Sequence, residues 1–392
     1  MSNNSRIKKR KDPMLGLIVL AIVMAVLVAA CVIGGSMIQN YRANLLAEQQ
    51  QEVSNRNAEK LAAYEEEVAE YMRKITQTNE VNADWPAPAP TGWDIIDLTN
   101  YPLEAPGTVT VNRADIMHNG LLLVNEWHSR PDDFDDSAVV SVAGYARSDK
   151  ELSSFVENNT CRLFPQAIDA FMAFLKDAKA QNLTGYVLRA GSTYRSWDDQ
   201  NALFQKEVDR QRANHPNYSD EKVLERAKRN YNYPGTSEYN TGLSFNLYLY
   251  EKDNAALNNA SFYESTQGKW LYENSWKYGL VFRFPKAGYP MPDTTDKSYK
   301  TGVSSNLNIY RYVGAANAEI MHELDLCLEE YIEYLQEHTH EAVFEDGRKN
   351  DEITYQIVGD DVDSFVVDIN RLTSNYTMYL DNMGGVVTVY TY

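Results

Sequence analysis

Histidine, cysteine and positive charge are all scarce in this sequence, and each shortage removes a class of function. Six histidines in 392 residues, with no His-Glu-x-x-His pair among them, leave no ready-made zinc-protease helix. Three cysteines, Cys31, Cys161 and Cys327, are too few for a disulfide framework. Cys161 and Cys327 read as unpaired core thiols, with one bridge between them as the alternative. Lys and Arg number 37 against 55 Asp and Glu, a formal charge of −18. So acidic a chain does not suit nucleic acid or anionic lipid as its main partner, because both need a basic footprint. Internal repeats and long low-complexity tracts are missing too.

What is present is enough apolar material for a sizeable core, 44% of residues, and an unusual 27 tyrosines that suit half-wet grooves. The N-terminus carries Arg6, Lys8, Lys9, Arg10 and Lys11, followed by an uncharged run from Met14 to Ile33. About 20 apolar residues span a bilayer core, and the basic flank keeps residues 1–13 cytoplasmic. A transmembrane helix at 14–36 is therefore expected, with the body outside the cell. A lipoprotein acylated at Cys31, in "VAAC", is the alternative reading. Residues 37–80 read as a helical stalk, with Leu61, Tyr64, Val68, Tyr71 and Ile75 in one apolar stripe. "PAPAP" at 86–90 marks a stiff linker over 81–104.

From 105 to 339 the pattern predicts an α+β domain. "GLLLVNEWH" (120–128) is strand-like. Ile168, Phe171, Met172 and Leu175 give 164–182 amphipathic helix spacing. Strands are expected at 185–193, 243–250 and 280–284, helices after Arg195 and over 318–338. Residues 340–392 switch to short β-rich runs with a "DNMGG" turn and read as a small all-β appendage.

Five blocks in order carry a resemblance: "LLLVNEWH", "STYRSWDDQNALF", "PGTSEYNTGLSFNL", "KYGLVFRFPKAG" and "YRYVG". Together, over about 120–335, they resemble the VanY-type D-alanyl-D-alanine carboxypeptidases of the hedgehog/DD-peptidase fold. Those are zinc enzymes that trim peptidoglycan stem peptides. The resemblance implies an antiparallel sheet with flanking helices, and three zinc ligands with a glutamate base.

Carried onto this sequence, the ligand positions hold Tyr239, Asn246 and Ile309, and the base position holds Asn306. A neutral phenol, an amide and an alkyl chain are poor zinc donors. No metal and no catalytic residue is therefore expected. Tyr239 and Asn246 are seven apart, so a regular strand would point them to opposite faces; they meet only if the chain bends, and Thr241-Gly242 is the place for it. Arg195 matches the substrate-contacting arginine, with pairing to a carboxylate such as Asp198 as its structural alternative. The expected peptide contacts are Arg195, Ser237, Tyr239, Gly242, Asn246 and Tyr310. His338 and His340 read as solvated. The functional expectation is an anchored, non-catalytic module binding peptidoglycan stem peptide or a cell-wall protein. The alternatives are an active carboxypeptidase with relocated ligands, and an interaction protein acting through stalk and appendage.

Overall fold

Proline and glycine punctuation, more than propensity, decides where the elements of this chain begin. The computed structural model describes residue 55 and residues 92–145, 160–359 and 362–392. The anchor at 14–36, the stalk and the "PAPAP" spacer lie outside the described residues. Among those described, no helix is long and apolar enough to cross a membrane. The chain divides into two units, Met1–Glu59 and Lys60–Tyr392, and the sheets with their helices all belong to the second.

Strands β1 (Trp93–Asp97) and β2 (Pro106–Asn112) lead in, and a short ribbon pairs β3 (Val140–Ser141) with β4 (Arg162–Leu163). The central sheet is built from β5 (Tyr186–Leu188), β6 (Ser244–Leu249), β7 (Leu280–Phe282) and β8 (Ile309–Tyr312), in the order β5-β6-β8-β7. All its pairings are antiparallel, and Asn246 stands opposite Ile309. Strands β5, β6 and β7 fall within the three expected segments.

Helix α1 (Pro165–Ala180) starts on Pro165, whose fixed φ suits a first turn. Its buried face of Ile168, Phe171, Phe174 and Leu175 lies on this sheet, with the Phe171 and Phe245 rings 5.4 Å apart, edge to face. Helices α2 (Trp197–Asn214) and α3 (Asp220–Lys228) pack together through Phe204, Val208, Val223 and Ala227. Helix α4 is Thr266–Asn274.

Four expectations need correction. Residues 318–338 form two helices, α5 (Ala315–Glu323) and α6 (Leu328–Glu337), because Asp325 takes a left-handed φ of 51° and Glu330 caps the Cys327 N–H. The run 120–128 makes no strand; its Gly120 and Leu122 carbonyls bond the Arg311 guanidinium at 2.7 and 2.9 Å in place of a ladder. Trp93–Asp97, assigned to the linker on sequence, is a strand. Residues 340–392 are not a separate appendage.

The reason for the last two is long-range pairing. Strands β9 (His340–Glu345), β10 (Arg348–Ile357), β12 (Tyr376–Leu380) and β13 (Gly385–Thr391) form one sheet with β1, in the order β1-β9-β10-β13-β12. Ile95 lies opposite Val343. Strand β11 (Ser364–Asn370) pairs with β2, Val367 opposite Val109. The C-terminal strands thus hold both segments that lead into the domain. They also share its cores: Val343, Ile353, Tyr379 and Val387 cluster with Ile320, Tyr331 and Leu335, and Phe365, Met378 and Tyr390 join the cluster of Phe171 and Phe245. Cys161 and Cys327 are both buried and form no disulfide among the described residues.

Candidate functional site

The bend required between Tyr239 and Asn246 is present. Glu238–Thr241 form one 3-10 turn, Gly242 follows at φ +69°, and β6 begins at Ser244. A Cβ on Gly242 would lie 2.8 Å from the Phe164 ring, and the Gly242 carbonyl accepts the Phe164 N–H at 2.9 Å. Gly242 is thus a packing hinge and makes no wall of the cleft.

Above this turn lies a cleft of about 710 Å³, walled by the end of α3 and the following loop on one side and by residues 301–309 on the other. Arg195, Ser237, Glu238, Tyr239 and Ile309 line it, with Asn125 and Glu126. The Arg195 guanidinium lies over the Tyr239 ring, 4.3 Å from its centroid, and the Asn246 side chain lies beside the Tyr239 hydroxyl. Burial pushes the Tyr239 hydroxyl up to about 12, with Arg195 opposing the rise. Arg195 donates to the Gly191 carbonyl at 2.7 Å and to Gln200 Oε1 at 3.3 Å. It forms no ion pair among the described residues; Asp199, beside the expected Asp198, instead caps α2 and pairs with Arg162. Burial lowers the Arg195 pKa, with Tyr239 and its neighbours opposing. Arg195 Nε and Asn246 Oδ1 are buried without a hydrogen-bond partner.

Tyr239, Asn246 and Ile309 therefore lie together, Asn246 beside the Tyr239 hydroxyl and opposite Ile309 in the strand register. Besides Gly242, two expected site residues do not join them. Asn306 is exposed and off the cleft wall, although Ser305 and Leu307 on either side line it. Tyr310 is fully buried on the opposite face of β8, its hydroxyl 3.2 Å from that of Tyr263. Alternation along the strand puts it in the core when Ile309 faces the cleft. Ser237 is buried in the wall and donates its N–H to Asn240 Oδ1 at 3.3 Å.

Beneath the cleft is a cluster that sequence reading missed. Glu238 accepts from Arg283 Nε at 2.9 Å, Arg311 Nη1 at 2.6 Å and Ser244 Oγ at 2.6 Å. Glu329 accepts both Arg283 Nη atoms, at 2.9 and 2.7 Å, and Asn125 Nδ2 at 3.0 Å. Burial alone would raise the Glu238 carboxyl; Arg283 and Arg311 overrule it and hold it below its ordinary value. Two carboxylates and two guanidiniums balance in charge, which a buried set must do to persist. Asn240 is equally hidden: it accepts from the Gly235 N–H at 3.1 Å and donates to the Arg195 and Ser196 carbonyls at 2.8 and 3.2 Å. The legible signal was Arg283 and Arg311 standing alone in "LVFRFP" and "IYRYV", runs too apolar for an unpaired charge.

The histidines are placed elsewhere. His118, His215, His322 and His338 stack on Phe164, Tyr218, Trp276 and Tyr334. His128 bonds Asn125 Oδ1 at 2.9 Å. His340, expected in solvent, is buried against Glu352 at 3.0 Å, because β9 lies between β1 and β10. Among the described residues no group of three or more His, Cys, Asp or Glu is placed to hold a metal ion. The zinc that the family resemblance implies does not fit the donors at its positions. One is a phenol that burial keeps protonated, one a neutral amide beside it, and one a hydrocarbon.

The comparisons converge on one family. Residues 160–315 match the family model described as VanY: D-alanyl-D-alanine carboxypeptidase. The chain is 32% identical over 215 residues to the "Putative carboxypeptidase YodJ" of Bacillus subtilis, covering 55% of this chain and 67% of that protein. It is 23% identical over 278 residues to a D-alanyl-D-alanine carboxypeptidase of Enterococcus faecium, covering 66% of this chain and 78% of that one. The solved D,D-dipeptidase VanXYg, in complex with a D-Ala-D-Ala phosphinate analogue, superimposes with a TM-score of 0.52 at 21% identity, over 73% of this chain and 99% of its own. That match speaks to the fold. The strands and cleft are thus the frame of a known peptidase architecture, and the chain belongs to the VanY D-alanyl-D-alanine carboxypeptidase family.

Proposed function

We propose that the cleft binds the D-Ala-D-Ala end of a peptidoglycan stem peptide without hydrolysing it, on a body held outside the membrane by the apolar run at Met14–Ile33. The observation that carries this is the composition of the three ligand positions. Tyr239, Asn246 and Ile309 meet in space as a phenol, an amide and an alkyl group, beneath an arginine that forms no ion pair among the described residues. A resident arginine above the ligand positions disfavours a dication and favours an anionic or carbonyl ligand. Chain relatives named as D-alanyl-D-alanine carboxypeptidases supply the peptide class.

The test joins metal analysis to calorimetry on the purified full chain. A pentapeptide ending in D-Ala-D-Ala should bind and remain intact, and the protein should carry no stoichiometric zinc. Arg195→Ala should weaken peptide binding by about 1.5–3 kcal/mol, the usual worth of a charged hydrogen bond. Replacing Tyr239→His, Asn246→Asp and Ile309→His together should create zinc affinity, and none of the three alone should, because the site needs all three donors. Stoichiometric zinc in the natural chain, or D-Ala release blocked by a chelator, rejects the reading. A reporter fused after Tyr392 that works only in the cytoplasm rejects the topology.

A further inference from the structure

Two tryptophans next in the chain to cleft-lining segments are exposed although their backbones are tightly held. Trp127 and Trp197 each keep 46% of their surface in solvent. Asn125 Oδ1 accepts the N–H groups of Trp127 and His128 at 3.0 and 2.9 Å, closing a compact turn under the first ring. Asn382, in the β12–β13 turn, donates to the Ser129 carbonyl at 3.3 Å and braces the same turn from below. Trp197 opens α2 behind a reciprocal cap, in which Ser196 Oγ accepts the Asp199 N–H at 3.1 Å and Asp199 Oδ2 accepts the Ser196 N–H at 3.0 Å.

The two mounts meet at Gly235. Its carbonyl accepts the Arg130 N–H at 2.7 Å, and a Cβ built on it would lie 3.6 Å from Trp197 Cδ1 and 4.0 Å from Ser129 Cβ. Only a bare backbone lies between the two segments. Each tryptophan also sits beside the cleft in sequence: Glu126 precedes Trp127, Arg195 lies two before Trp197, and both line the cavity. Tyr233, a third ring 46% exposed, lines it as well.

The surroundings decide what such rings face. A protein interface needs a contiguous apolar patch with polar groups pushed to its edge. Here the exposed sequence neighbours of the indoles are Glu126, Ser129, Asp198 and Asp199. A flat aromatic face ringed by carboxylates and hydroxyls complements a pyranose, which presents a face of C–H bonds and an edge of hydroxyl and acetamido donors. We infer that Trp127 and Trp197 form a sugar platform at the rim, so that the ligand is a peptide still joined to N-acetylated amino sugar. The peptide half of this inference rests on the proposed function; the platform itself rests on the rim alone.

Calorimetry on the full chain separates the two. The probes are a disaccharide-pentapeptide, the same pentapeptide without sugar, and a β-1,4-linked tetramer of N-acetylglucosamine. The sugar-bearing peptide should bind at least about fivefold tighter than the free one, the range expected of one or two ring-stacking contacts. Trp127→Ala and Trp197→Ala should each remove most of that advantage and leave free-peptide affinity unchanged. The tetrasaccharide should quench tryptophan fluorescence in the natural chain and not in the double variant. Equal affinity for both peptides overturns the platform, as does an advantage that survives both substitutions. If no peptide binds, the tetrasaccharide still decides: quenching lost in the double variant upholds the platform, and no quenching overturns it.

Discussion

Glu238 and Tyr239 are neighbours in the chain and opposites in their surroundings. Glu238 points down into a cluster in which every charge has a partner: three donors reach its carboxylate, and Arg283 links it on to Glu329 through two further bonds. Tyr239 points up beside Arg195 and Asn246, where a guanidinium nitrogen and an amide oxygen are buried and unpaired. A buried polar atom without a partner costs about 1–3 kcal/mol. The floor satisfies every charge within the frame, and the surface one residue away leaves polar atoms unpaired.

The largest expected effect tests the floor. Glu238→Ala leaves two buried guanidiniums facing one carboxylate, and should cost about 3–5 kcal/mol in denaturant unfolding, the usual penalty for breaking a buried pair. A loss below about 1 kcal/mol would mean that the cluster does not hold the frame.

Next come two glutamates of the C-terminal sheet that pull stability in opposite directions with pH. Burial pushes Glu341 up to about 8, with Asp97 adding to the rise and the Tyr334 hydroxyl opposing it. A carboxyl raised when folded from 4.5 keeps a proton that the unfolded chain has lost. Its contribution is full below about pH 4.5 and fades as pH climbs through about 8. Glu352 behaves inversely: burial would raise it, but bonds from His340, Lys349, Tyr392 and Asn370 hold it at about 2. Its contribution is full above 4.5 and is lost as pH falls toward 2. Each limb should amount to a few kcal/mol. Glu341→Gln should flatten the limb between about pH 4.5 and 8 and Glu352→Gln the one between about pH 2 and 4.5; unchanged profiles would refute the assignments.

Arg195→Ala sharpens the contrast from the other side. It should lose peptide binding while unfolding free energy changes by less than about 1 kcal/mol, since no buried charge partner is stranded. The smallest effect belongs to the surface: Lys300 pairs with Glu333 at 2.6 Å, but both are partly in water. Lys300→Ala should therefore cost no more than about 1 kcal/mol, and raising the salt concentration should shrink even that.

Much of the frame was legible because its signals are local. The amphipathic spacing of α1, the "DNMGG" turn, with Asn382 at φ 49° and Gly384 at 90°, and the bend at Gly242 all follow from side-chain size and backbone sterics over a few residues. The site was half legible. The seven-residue gap between Tyr239 and Asn246 demanded a bend, and it is there; Tyr310 was misjudged because which side of β8 faces the cleft depends on its partner strand.

The sequence by itself determined the family blocks, the identity of the groups at Tyr239, Asn246 and Ile309, and the acidic balance of the chain. Tertiary structure alone decided the rest. Trp93 pairs with Glu345 and Val109 with Val367, far apart in the chain, so no local pattern announces that the entry segment is clamped by the C-terminus. Arg283 meets Glu238 and Glu329, 45 and 46 positions away, and Arg311 closes on Glu238 from 73. Charge pairing of that kind is fixed by which side chains share a water-free space, and that is a property of the packed fold, because only burial makes an unpaired charge intolerable.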